Sequence, residues 1–178
     1  MTNGTKISER DRFLVLFDRL VHFTRDGVAA TPANKLEWVP PGGDIVQFGD
    51  RLRHVTIRAL CIHLFVGENK WARALRDCRD GAAIDLPNDP ALTAKMGGED
   101  FLDVAMTTHQ ETMGMFGALT ENDLGKSVSF ARRKWSVMGF LWAIYGHHNY
   151  HHGNIDMYWR LSGCQAMDYF NFEPPEMV

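Results

Sequence analysis

Apolar residues near the start of the chain recur at the spacing of one helix face. Ser8 precedes them and can cap a helix by accepting a hydrogen bond from the backbone N–H of Asp11. Gly27 follows the last of them. The pattern predicts a first helix of about five turns, with these residues on its buried side: Phe13, Leu16, Phe17, Leu20 and Val21.

A second periodic stretch runs from about Val46 to about Asp77, after a segment broken by Pro32 and by Pro40-Pro41-Gly42-Gly43. Its apolar residues keep a period of 3.6, which predicts a long, deeply packed second helix. They are Phe48, Leu52, Val55, Ala59, Ile62 and Val66.

Two further helices are predicted in the second half of the chain. One runs from Glu99 to Leu119, and the other begins after the capping residue Ser136, ends near Leu161 and is followed by Gly163. The segment 81–98 is too long for a simple connector, and long loops in compact domains are often functional. We expect it to shape the mouth of a site.

The pattern as a whole is typical of an all-α protein, since strand-like alternation is nearly absent. Four long helices with these connections predict a four-helix bundle with long loops, and such bundles hold metal sites between facing helices. We treat residues 1–178 as one domain, of which the residues after Gly163 form a tail.

Composition narrows the class of protein. The 178 residues carry a net charge of -3 and no basic run, so binding to nucleic acid is disfavoured. The three cysteines, Cys61, Cys78 and Cys164, are far apart and odd in number, which indicates free thiols. No signal peptide or membrane span is predicted, and we expect a cytoplasmic protein that does not bind membranes.

The fourth helix contains four histidines within six residues: His147, His148, His151 and His152. Residues four apart lie on one helix face, so His147 and His151 can bind one transition metal, and the same spacing joins His148 to His152. A catalytic zinc site commonly has three protein ligands and one open position. His54 and His63, both on the predicted second helix, are the candidates for a third ligand.

The histidine segment resembles the DinB-like family (DinB and YfiT type) of metal-binding four-helix proteins. The family's last helix reads his-x-x-x-his-arg-gly-gln, then an apolar residue and tyr-leu-arg. The corresponding stretch here runs from His147 through His151 to Arg160, with His152 in place of the arginine and Asn154 in place of the glutamine. The resemblance implies a DinB-like fold in which His147 and His151 are metal ligands.

The same resemblance implies a third ligand from the second helix. In the family, the ligand from the second helix comes at a set distance after a tryptophan and a proline-glycine turn. His54 lies at that distance after Trp38 and is therefore preferred. An alternative register uses His63, because His63-Leu64 and Glu68 also resemble the family's his-leu-x-x-x-glu pattern. The predicted metal ligands are His54, His147 and His151.

The resemblance also implies an enzyme that uses a divalent transition metal, of which Zn, Ni, Fe and Mn all suit imidazole ligands. The first hypothesis is a low-molecular-weight-thiol S-transferase or isomerase acting on a small-molecule substrate. The alternatives are a metal-dependent hydrolase and a non-catalytic metal-binding stress protein. No catalytic residue is assigned, although Asp50 and Glu68 are candidates for a general base.

The remaining histidines and aromatic residues receive structural interpretations. His148 and His152 are expected to face solvent or a neighbouring subunit, or to hydrogen-bond to a ligand imidazole, while Tyr150 packs in the core. His22 and His109 are expected to be structural. Aromatic residues near the fourth helix and tail predict a homodimer: Trp135, Trp142, Trp159, Tyr169, Phe170 and Phe172.

Overall fold

Four long helices account for most of the computed structural model, which describes residues 7–42 and 55–169. The helices are α1 (Glu9–Ala29), α2 (Ala33–Leu36), α3 (Ile57–Arg76), α4 (Pro90–Lys95), α5 (Phe101–Gly117), α6 (Glu121–Gly125) and α7 (Val137–Ser162). The strands are β1 (Ala82–Ala83), β2 (Ser127–Phe130) and β3 (Arg133–Ser136). The four long helices, α1, α3, α5 and α7, form the predicted bundle.

The predicted caps of the first and last helices are confirmed. The hydroxyl of Ser8 accepts a hydrogen bond from the backbone N–H of Asp11 at 3.0 Å. The hydroxyl of Ser136 accepts one from Gly139, also at 3.0 Å. Gly163 adopts a left-handed conformation with φ of 77° directly after α7, which favours a residue without a Cβ.

The second long helix begins later than its apolar period predicts. Thr56 is extended, with φ of -118° and ψ of 166°, and its hydroxyl accepts a hydrogen bond from the backbone N–H of Ala59. Thr56 is therefore the N-cap of α3, and the prediction of a continuous helix through Val55 and Thr56 is wrong. Residues 43–54, which include the predicted start near Val46, lie outside the described residues.

A small sheet stands where only loops and turns were predicted. Strand β2 pairs in parallel with β1 and antiparallel with β3. Ala131 and Arg132 make the two-residue turn between β2 and β3, with positive φ angles of 50° and 62°. Such turns normally use Asn-Gly, so these two residues give no recognisable turn signal, and four-residue strands are too short to show alternation.

Trp159, one of the aromatic residues on which the predicted homodimer rests, is buried at the end of the bundle and is 1% exposed. Its indole N–H donates to the hydroxyl of Thr31 at 2.7 Å. Gly27, predicted to end α1, lies inside that helix. A Cβ at this position would lie 2.3 Å from the Trp159 ring, so only glycine leaves room for it. The chain thus covers part of the aromatic surface itself, and the homodimer stays a prediction.

Two further sequence predictions concern cysteines and membranes. Cys61, Cys78 and Cys164 are all free thiols, as predicted. Burial raises the pKa of the Cys61 thiol to about 12, so this cysteine is protonated at neutral pH. Among the described helices, none combines the length and the apolar character needed to cross a bilayer.

Candidate metal centre

Three imidazoles from two helices meet between α3 and α7. His63 comes from α3, and His147 and His151 come from successive turns of α7. One ring nitrogen of each lies within 4.8 Å of the corresponding nitrogens of the other two. The Nε2 atoms of His63 and His147 are 3.4 Å apart, and the ring centroids of His147 and His151 are 4.6 Å apart.

The donor set and its spacing fit a transition metal. Two nitrogens bound to zinc at 2.0–2.1 Å in tetrahedral geometry lie about 3.3 Å apart, and the two Nε2 atoms of His63 and His147 are 3.4 Å apart. Nδ1 of His147 is buried and has no hydrogen-bond partner among the described residues. Three imidazole nitrogens at this spacing are donors that such a metal takes up.

Burial keeps the two α7 imidazoles neutral. Burial, together with the neighbouring His151 and His63, lowers the pKa of His147 to about 3. Burial likewise lowers the pKa of His151 to about 4, with His63 as the next cause. Because only a neutral imidazole can ligate a metal, both side chains are in the binding form at neutral pH.

The described third member of the group is His63, the residue of the alternative register. His54, the preferred third ligand, falls in the segment 43–54 outside the described residues, so its assignment stays a prediction. His54 and His63 do not lie on one continuous helix, because the chain is extended at Thr56.

Aromatic residues flank the histidines on both sides. The Trp71 ring meets the His147 ring edge-on at 5.0 Å, and its indole N–H donates to the carbonyl of Asp85. Tyr150 contacts the ring of His151 at 5.0 Å but is 61% exposed, so the prediction that it packs in the core is wrong. Tyr150 faces solvent because α7 turns it away from the bundle.

A groove of about 530 Å³ runs along α3 beside His63, and segment 87–94 forms its opposite wall. Most of its lining side chains are apolar or uncharged: Ala59, Ile62, Val66, Pro87, Asn88, Pro90, Thr93 and Ala94. Its one carboxylate, Asp89, is bonded to Arg73 at 2.5 Å and accepts the backbone N–H of Leu92. The predicted role of the long segment 81–98 in shaping a site mouth is consistent with this position.

The other two α7 histidines are buried, so the prediction that they face solvent is wrong. His148 is 0% exposed and His152 is 5% exposed. Nδ1 of His148 lies 2.6 Å from Oε1 of Glu68, which comes from α3 and is 1% exposed. Glu68 is therefore the buried acid partner of His148.

Thr24 of α1 completes the hydrogen-bonded group that contains His148, His152 and Glu68. Its hydroxyl lies 2.8 Å from Nε2 of His148, 3.0 Å from Nδ1 of His152 and 3.1 Å from the carbonyl of Leu20. A hydroxyl has one proton and two lone pairs, so all three bonds form when both imidazoles donate and the hydroxyl donates to Leu20. Nδ1 of His148 meets the carboxyl group of Glu68, while burial lowers the pKa of His152 to about 4 and keeps it neutral.

Sequence reasoning missed Thr24 and did not rank Glu68. A threonine inside an apolar helix pattern carries no signal for a histidine partner that is more than 120 positions away. Glu68 follows His63 by five positions, and one sequence does not show which helix face meets α7. The bonding in this group depends on three helices at once.

The sequence itself matches no family model, and it matches no curated protein. Two solved structures from Bacillus subtilis are similar in fold. The first is YfiT, described as a probable metal-dependent hydrolase with an unusual four-helix bundle topology, with a TM-score of 0.63 at 14% identity over 93% of this chain and 95% of that one.

The second similar structure is a DinB-like protein, YjoA, with a TM-score of 0.63 at 16% identity over 89% of this chain and 96% of that one. Identities this low establish the fold and leave the activity open. The helix order, the bundle and both comparisons agree with the resemblance carried by the histidine segment. The chain has the fold of the DinB-like four-helix bundle proteins.

Proposed function

We propose that this protein is a metal-dependent enzyme whose divalent transition metal is held by His63, His147 and His151. The observation that carries the proposal is the convergence of one nitrogen from each of these imidazoles within 4.8 Å. Among the described residues, no carboxylate or thiol joins this group as a fourth protein ligand within that distance. A three-histidine set leaves coordination positions for water or substrate.

A metal bound at this site would lower the pKa of a coordinated water or thiol and so supply a nucleophile at neutral pH. The chain's own residues prepare the site for it. Burial keeps His147 and His151 unprotonated, and the indole of Trp71 covers one side of His147. The groove beside His63 admits a substrate to the same edge of the group.

The first candidate reaction is hydrolysis, with water as the nucleophile. It is supported by the similarity in fold to YfiT, described as a probable metal-dependent hydrolase. The second candidate is transfer to a low-molecular-weight thiol, which the resemblance of the histidine segment to the DinB-like family favours. Both reactions need the same metal, and they differ in the nucleophile.

The groove beside His63 favours a substrate with a small, uncharged, largely apolar group. Its lining is mostly aliphatic, and the charge of Asp89 is already compensated by Arg73. An ionic substrate group in this groove would lose hydration without gaining a partner. An ester or thioester of a short aliphatic acid is therefore a suitable first probe.

Metal analysis of the purified, untagged protein is the first test. Wild type should retain about one equivalent of a transition metal in this site, whereas His63→Ala, His147→Ala and His151→Ala should each lose it. Tyr150→Phe, one residue from His151 on the solvent side, serves as the matched control and should keep it. Retention of metal in all three histidine variants would refute the site.

Activity is then measured with two substrate panels, aliphatic esters in water and electrophiles with a small thiol. Turnover of esters that depends on His63 supports hydrolysis, and turnover only with the thiol supports S-transfer. A loaded protein inactive in both panels would favour the non-catalytic role. Mutation of His54 to Ala tests the sequence-based assignment, because loss of metal there would make His54 a ligand.

The groove is tested by paired substitutions on α4. Ala94 lines the groove beside His63, and Ala91 faces a different cleft on the same helix. Ala94→Phe should lower kcat/KM for the ester by about tenfold or more through steric blockage without changing metal content. Ala91→Phe adds the same ring away from the groove and should have little effect, so equal effects of the two would place the substrate elsewhere.

A further inference from the structure

A separate group of potential metal ligands lies between α1 and α5. Asp18 and His22 are one turn apart on α1, and His109 comes from α5. One ligand atom of each lies within 4.8 Å of the others. The side chain of His109 is 1% exposed, whereas Asp18 and His22 are 45% and 42% exposed, so the group lies at the protein surface.

The distances in this group suit a metal as well as hydrogen bonds. Oδ1 of Asp18 lies 3.0 Å from Nε2 of His109 and 3.4 Å from Nδ1 of His22. Two ligand atoms around a tetrahedral zinc are separated by about 3.3 Å. The three atoms therefore need little rearrangement to bind one ion.

The chemistry of the three groups agrees with this geometry. The hydrogen bond from His109 lowers the pKa of Asp18, so its carboxylate is anionic at neutral pH. Two imidazoles and one carboxylate are a common ligand set for zinc and for iron(II). We propose that Asp18, His22 and His109 form a second, surface-exposed site for a divalent transition metal that joins α1 to α5.

Two features oppose binding and set the expected strength. Nδ1 of His22 lies 2.9 Å from the carbonyl of Asp18, and Nε2 of His109 lies 3.0 Å from its carboxylate, and the metal would replace both hydrogen bonds. Arg19 acts on the same carboxylate, and its positive charge repels a cation. The second site should therefore bind more weakly than the three-histidine site, so the two are filled in order during a titration.

The proposal revises the role of His22 and His109, which the sequence analysis treated as structural. In the structure, His109 is a buried imidazole that is hydrogen-bonded to the carboxylate of Asp18 at the surface. This pair by itself would indicate only a structural role. The addition of His22 from the next turn of α1 converts a pair into a three-ligand set. Water can complete the coordination shell on the exposed side.

The test is a calorimetric zinc titration of metal-free, untagged protein. Wild type should bind two equivalents, and His22→Ala and Asp18→Asn should each bind one. Both substituted side chains are half-exposed, so these variants are expected to fold, and circular dichroism confirms it. His63→Ala should keep the weaker equivalent, which separates this proposal from the proposed enzyme site.

Three results would overturn the second site. They are a single equivalent in wild type that His22→Ala and Asp18→Asn both retain, a second equivalent that persists in both of these variants, and loss of both equivalents in His63→Ala. As a further measurement, cobalt(II) replaces zinc in His63→Ala. An absorption spectrum that disappears in His63→Ala combined with His22→Ala supports the assignment, and one that persists contradicts it.

Discussion

The two histidine pairs of α7 have identical spacing and opposite surroundings. His147 and His151 are joined by a third imidazole, His63, whose Nε2 lies 3.4 Å from that of His147. His148 lies 2.6 Å from the Glu68 carboxylate, and the Thr24 hydroxyl joins it to His152. A rotation of one residue around the same helix separates a candidate metal site from a buried hydrogen-bond network.

The difference shows that the partners of an imidazole determine its role. A carboxylate and a hydroxyl can satisfy both nitrogens of a buried histidine, so the His148 side has little need of a metal. A neighbouring imidazole offers another basic nitrogen, and Nδ1 of His147 has no partner among the described residues. The three imidazoles present basic nitrogens to one another, and the proposed metal would bind to these nitrogens.

The largest expected effect comes from replacing one histidine of each α7 pair with alanine. His147→Ala should weaken zinc binding by more than about 100-fold, since a direct ligand is lost, and it should leave the fold intact. His148→Ala should keep the ligands but lower the free energy of unfolding, because Glu68 loses its partner. Zinc titration and urea denaturation of both variants check this. Equal loss of zinc in both would contradict the distinction between the faces.

The next largest effect concerns the Glu68 carboxylate. Glu68→Ala should reduce the free energy of unfolding of the metal-free protein by about 3 kcal/mol, because it leaves Nδ1 of the buried His148 without its partner. Glu68→Gln keeps an oxygen for Nδ1 of His148 and should cost less. Glu111→Ala, on the exposed side of α5, is the control. A change no larger than that of the control would mean that this contact does not stabilise the bundle.

A smaller effect is expected at the Thr24 hydroxyl. Thr24→Val keeps the shape of the side chain but leaves two imidazoles without their shared partner, at a cost of about 2 kcal/mol. Thr24→Ser keeps the hydroxyl and should recover part of that loss. Urea denaturation of the two variants is the measurement. A Thr24→Val variant as stable as wild type would mean that the hydroxyl's hydrogen bonds do not stabilise the bundle.

The pH dependence of the metal-free protein should be gradual. The pKa values of His147, His151 and His152 lie near 3, 4 and 4 in the folded chain, below the value of 6.5 for an unperturbed histidine. The unfolded chain therefore takes up protons first as the pH falls, and stability present above pH 6.5 is lost on acidification toward pH 4.

Each of the three histidines contributes a slope of up to about 1.4 kcal/mol per pH unit in that window. Urea denaturation from pH 7.5 to 4.5, compared between wild type and His147→Gln, measures one contribution. The variant should show the shallower dependence. A wild-type stability that is independent of pH over this range would contradict buried, neutral imidazoles on either face.

The site was only partly predictable from the sequence, because some of its contacts join residues close in the chain and others join residues on different helices. The spacing of His147 and His151 and the caps of α1 and α7 are local, and the structure confirms those caps and places the histidines together. The surroundings of His148 do not follow from the residues next to it in the sequence. Its partners, Glu68 and Thr24, come from two other helices.

The sequence by itself determined the helical periods, the capped ends of the first and last helices and a pair of histidines one turn apart. Each of these depends on residues within about four positions of one another, where the backbone fixes geometry. The tertiary structure alone decided that His63, which is 84 positions from His147, completes the described group. Such contacts depend on how two helices are rotated and displaced against each other, and that is fixed by packing across the whole core.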